Sequence, residues 1–146
     1  MPHIVLDFEP PQPDAPTFTS DTADLVYFLS WAFLTRYGAS HDLSVAANVL
    51  RSNFKIDLVP LLTFADRHVE EPADEETLDR AWQDAAALAG CCARVFNALG
   101  TDVPELVALA GEYPTLRKSV EELGRIATWV ALRGSQIRVT YELDNG

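Results

Sequence analysis

The stretch from Leu25 to Leu34, LVYFLSWAFL, contains a single polar residue, Ser30, and it constrains the fold more than any other segment. Read as a helix it is apolar around its whole circumference. Leu25, Phe28, Leu29 and Ala32 fall on one face, and Tyr27, Trp31 and Leu34 on another. A helix of that kind needs either a central place in the fold or a second surface that another chain covers. The run is far shorter than the ~20 residues that cross a bilayer, so membrane insertion is not the expectation. Ser20 or Asp21 offers an N-terminal cap, and Gly38 suits a left-handed exit.

Further helices are expected around this one. Leu43, Ala46, Ala47, Leu50 and Phe54 recur at helical spacing behind Ser40 or Asp42 as caps. Asp57 can cap a third helix that tolerates Pro60 in its first turn and carries Leu58, Leu61, Leu62, Ala65 and Val69 inward. An acidic turn, Glu70 to Glu76, then opens what reads as the clearest helix. Its stripe runs through Leu78, Ala81, Trp82, Ala85, Leu88, Ala89, Cys92, Val95, Phe96 and Leu99, and Gly100 closes it. The small residues of its centre, AAALAGCCA, permit close approach by a neighbour. Asp102 and Glu105 have capping-box spacing before a short helix. A last helix starts near Thr115, buries Leu116, Val120, Leu123, Ala127 and Val130, and stops at Gly134.

Period-2 alternation marks the two ends. Ile4, Leu6 and Phe8 alternate with Val5, Asp7 and Glu9, and Ile137, Val139, Tyr141 and Leu143 alternate with Gln136, Arg138, Thr140 and Glu142. Prolines 10, 11, 13 and 16 end the first strand and predict an extended connector to Thr19. A lone strand leaves its backbone groups unpaired, so the two ends are expected to pair. The fold class that follows is mainly α, a bundle of about five helices with short N- and C-terminal strands. Residues 1–146 form one domain, with a strand plus proline-rich connector at 1–19 and a terminal strand at 135–146.

A formal charge of −11, from 22 acids and 11 bases, opposes binding to a phosphate backbone, which requires lysines and arginines to displace counterions. It leaves open a reading as an acidic inhibitor or immunity-like protein that neutralises a basic partner. Cys91 and Cys92, the only cysteines, are adjacent and read as small buried residues in a reducing compartment; a cytoplasmic location is the expectation. No HExxH, glycine-rich phosphate loop, GxSxG or EF-hand pattern occurs, so no metal or cofactor is expected. Asp66, Arg67, His68, Glu70 and Glu71 place carboxylates beside an imidazole, but neighbouring helical residues diverge, and a solvated helix end is the simpler reading.

Arg36 and His41 are separated by four residues. This spacing resembles the Arg-to-His motif of HEPN-family helical, metal-independent ribonucleases. The resemblance covers those two residues and a general helical-bundle architecture. It implies that His41 helps activate an RNA 2′-hydroxyl while Arg36 positions the phosphate. Tyr37 after the arginine and Gly38 within the motif depart from the family pattern, which favours a polar residue and a continuous helix end. The alternative makes Arg36 a last-turn residue favoured by the helix dipole and His41 a loop residue near the next cap. With no strong catalytic pattern, the leading expectation is a helical interaction module that self-associates or binds a protein partner through Tyr27, Trp31 and Leu34.

Overall fold

The computed structural model describes residues 2–33 and 41–143. It is mainly α, with seven helices and four strands among those residues. In chain order these are β1 (Pro2–Glu9), α1 (Ala23–Phe33), α2 (Asp42–Ser52), α3 (Val59–Leu62), β2 (Phe64–Asp66), α4 (Pro72–Arg80), β3 (Trp82–Asp84), α5 (Ala85–Leu99), α6 (Pro104–Glu112), α7 (Leu116–Ala131) and β4 (Gln136–Leu143).

The terminal strands pair antiparallel along their full lengths, from Pro2 opposite Leu143 to Glu9 opposite Gln136. Alternation then puts Ile4, Leu6 and Phe8 on the same face as Tyr141, Val139 and Ile137, the face that joins the helical core. Two short strands share the other edge of β4. β3 lies antiparallel to residues 136–138, and β2 lies parallel to residues 139–141. On the opposite face of the sheet, Asp7 accepts from Arg67 at 2.7 Å and from Arg138 Nε at 3.0 Å, while the Arg138 guanidinium lies over the Trp82 ring.

Two expected helices are therefore interrupted by strands. The helix expected to run unbroken from the acidic turn to Leu99 breaks after Arg80. There Trp82 pairs with Arg138, Gln83 Nε2 donates to the carbonyls of Pro60 and Thr63, and Asp84 restarts the helix by accepting the Ala87 N–H. Likewise the third helix ends at Leu62, so Ala65 lies in β2 and Val69 in the loop beyond it. In both places a free edge of β4 offers backbone partners, and long-range pairing overrides a continuous apolar helical pattern. The first interruption divides one expected helix into α4 and α5, the second shortens α3, and together they add β2 and β3 to the two expected strands.

The α5–α7 pair forms the centre of the helical layer. A Cβ at Gly124 would sit 3.1 Å from the Cys92 Cβ, so a glycine is what lets the two helices approach this closely. Cys91 and Cys92 are buried and form no disulfide, and burial pushes both thiols above their ordinary pKa. α1 lies across this layer and the sheet. The Thr22 hydroxyl receives the Ile4 N–H at 2.9 Å, Asp24 accepts the Thr115 hydroxyl at 2.7 Å, and Ser44 donates to the Trp31 carbonyl at 3.1 Å.

The proline-rich segment is a strap beside α7. Ser135 donates to the Pro10 carbonyl and accepts from Gln12, and farther along Thr19 and Ser20 meet Glu122. Glu122 is only 3% exposed, yet it is held ionised. Burial alone would raise its pKa. The hydroxyls of Ser20 and Thr19 at 2.7 Å, with both backbone N–H groups, outweigh that and bring it down to about 2.

Candidate functional site

α1 is neither fully internal nor uniformly apolar in its surroundings. Ala23, Leu25, Val26, Phe28, Leu29 and Ala32 are buried, whereas Tyr27 is 40% and Trp31 36% exposed. These two rings are four residues apart and so lie on one side of the helix, directed away from the core. Leu34, three residues beyond Trp31 in the sequence, lies outside the described residues. Phe33 is also exposed, on a different side. It meets Phe64 edge-on with centroids 6.2 Å apart, and Phe64 in turn meets Tyr141.

His41 joins this face. Its ring stacks on Trp31 with centroids 4.0 Å apart and planes 5° from parallel. Its Nδ1 accepts the Leu43 N–H at 3.2 Å, making it the N-cap of α2 in place of the expected Ser40 or Asp42. Arg36, the other half of the ribonuclease-like pair, lies outside the described residues. The role the structure does give His41 is local: it starts a helix and backs an exposed tryptophan.

Acidic groups border the face. The Asp42 carboxyl hydrogen-bonds that of Glu112 at the end of α6, which holds the Glu112 pKa above its ordinary value. Asp24 sits at the other end, on the first turn of α1. Tyr113, beside Glu112, has its phenol pKa raised by partial burial and by the charges of Glu112, Asp42 and Asp24.

The Asp66–Glu71 segment behaves differently from the helix end expected for it. Asp66 is the last residue of β2 and accepts the His68 N–H, while His68 pairs with Glu70 at 2.9 Å and Arg67 turns inward to Asp7. The Glu70 hydrogen bond raises the His68 pKa. Asp74 closes the loop by accepting the N–H groups of Glu70 and Glu71, so its acids serve the start of α4. Among the described residues, no group of three or more His, Cys, Asp or Glu side chains is arranged to hold a metal ion.

A feature that sequence reasoning missed is a half-open groove of about 720 Å³ along α5 and α7, walled on one side by the strap. Ala93, Phe96, Ile126, Trp129 and Leu132 supply much of its apolar lining, and Pro16 and Thr17 come from the strap. The signal for it was the small-residue centre of α5. Ala89, Cys92 and Ala93 of that segment line the groove opposite Gly124 of α7.

Among the described residues no helix is long and apolar enough to cross a membrane. No known family profile, curated protein or solved structure matches the chain.

Proposed function

We propose that this chain is a non-enzymatic helical interaction module whose contact surface is the outward face of α1. The observation that carries this reading is the exposure of Tyr27 and Trp31 on a helix whose opposite side is wholly buried. Large aromatic rings left in water are the residues most often used as interface anchors. Stacking on His41 holds Trp31 in place before any partner arrives, which lowers the ordering cost of binding. The occupant is a second copy or a different protein. Asp24, Asp42 and Glu112 favour a partner with basic groups at its rim, because a second copy brings the same acids.

Light scattering after size exclusion, over a dilution series, tests the reading for a second copy. A dimer that Trp31→Glu converts to monomer supports self-association through this face. A wild-type protein that stays monomeric assigns the face to another protein, and capture that is sensitive to salt and lost in Trp31→Glu then identifies it. Normal folding of Trp31→Glu, with assembly and captured partners unchanged, overturns the proposal.

A further inference from the structure

We propose that the α5–α7 groove binds a small amphipathic anion, an aliphatic or aromatic carboxylate free in solution, independently of the α1 face. Its volume of about 720 Å³ falls within the range of small-molecule sites. Its walls are apolar enough to take a hydrocarbon body. Leu132 at the rim is 80% exposed, while Phe96 and Trp129 are only partly covered. A bound chain would remove these surfaces from water.

Charge selects the headgroup. Arg94, Arg117, Lys118, Arg125 and Arg133 lie on α5, α7 and the turn that ends α7, five of the chain's eleven bases in a protein of net charge −11. Only two of its 22 acids, Glu121 and Glu122, lie on the same elements, and both line the groove beside Arg125. Both are engaged: Glu122 receives Thr19 and Ser20, and Glu121 pairs with Arg125 at 3.5 Å. That last pair is exposed, so a ligand carboxylate can compete with Glu121 for the Arg125 guanidinium at little cost. Arg133 lies 3.5 Å over the Trp129 ring and Arg117 4.0 Å over Phe96, which places cations against the two aromatic walls. Arg125 thus lines the apolar trough itself, and Arg117 and Arg133 lie over two of its aromatic walls.

Dodecanoate, dodecanol and dodecyltrimethylammonium, each below its micellar concentration, are titrated into the ¹⁵N-labelled full chain and followed by NMR. Dodecanoate should give saturable shifts at Ala89, Ala93 and the Trp129 indole, with dodecanol about tenfold weaker, as expected for loss of one charge-assisted contact, and the cation weaker still. Ala93→Trp, a substitution at an exposed position, should block both dodecanoate and dodecanol. Arg125→Gln should bring dodecanoate to the level of dodecanol. If Ala93→Trp disturbs the fold by circular dichroism, Leu132→Asp replaces it as the blocking variant. Equal binding of all three compounds, shifts centred elsewhere, undiminished binding in the blocking variants, or attachment to phosphatidylglycerol vesicles without binding of monomeric dodecanoate would overturn the proposal. Trp31→Glu should leave dodecanoate binding unchanged, which separates this site from the α1 face.

Discussion

Replacing Glu122 by glutamine tests the strap more sharply than any truncation, because it keeps the size of the side chain and changes only its charge and one oxygen. In the native chain the two carboxylate oxygens receive four donors, the N–H and hydroxyl of Thr19 and of Ser20. Glutamine retains one acceptor oxygen and turns an NH₂ toward the remaining donors. A carboxyl held at about 2 in the folded protein, against 4.5 when free, corresponds to roughly 3 kcal/mol of folding stability at neutral pH. The sign follows from the depressed value. Between about pH 4.5 and 2 the unfolded chain binds the extra proton, so the contribution is complete above that window and is lost as pH falls through it. Glu122→Gln should therefore cost about 2–3 kcal/mol in urea unfolding at pH 7. Other acids titrate in the same range, so the informative quantity is the difference between wild type and variant, and it should shrink steadily from pH 5 to pH 2.5. A difference that is constant across that range, or a cost below about 0.5 kcal/mol at pH 7, would refute the assignment of an ionised, fully bonded Glu122.

Three further substitutions have definite expected outcomes. Gly90→Ala should stabilise the protein by about 0.5–1 kcal/mol in the same unfolding assay, since the site is inside a helix and a Cβ there meets nothing within 4 Å. Asp7→Ala should cost about 2 kcal/mol or more, because it removes the shared partner of Arg67 and the largely buried Arg138. His41→Ala should cost about 1 kcal/mol by removing the α2 cap, and with it the Trp31 stack. In a single-stranded RNA assay the interaction-module reading expects no cleavage that depends on His41, whereas loss of cleavage in His41→Ala would favour the ribonuclease alternative.

The parts of the fold that were legible in the sequence are those set by local periodicity. Ile4, Leu6 and Phe8, with Ile137, Val139 and Tyr141, announced two half-buried strands, and their pairing followed from the need to satisfy backbone groups at both ends of the chain. The amphipathic stripe of Leu116 to Val130 predicted α7 with little error. What failed was the reading of short strands. Phe64–Asp66 and Trp82–Asp84 carry too few residues to show alternation, and they are strands only because β4 offers them a free edge. Asp84 before an alanine run was a readable N-cap signal that the strong apolar stripe around it concealed.

The α1 site was partly legible for a related reason. An apolar helix without a polar side is conspicuous, and helical spacing sorted Tyr27 and Trp31 away from the buried set. Sequence spacing could not place His41 on Trp31 or bring Glu112 to Asp42, because both contacts depend on the angle at which α2 and α6 meet α1. The α5–α7 groove was less legible still. Of its walls, Ala89, Cys92, Phe96 and Val120 read as ordinary core positions, while Ala93, Ile126, Trp129 and Leu132 belonged to no expected stripe.

The central claim is that the outward face of α1 is a contact surface, and site-specific photo-crosslinking tests it most directly. With p-benzoylphenylalanine placed at position 27 in cells that naturally make the protein, irradiation should give a discrete crosslinked species. That species would contain a second copy or one other protein, and it should disappear when Trp31→Glu is added. The same probe at position 77, an exposed site on α4, should give none. Crosslinking at position 27 that is no greater than at position 77, or that persists undiminished with Trp31→Glu, would contradict the account.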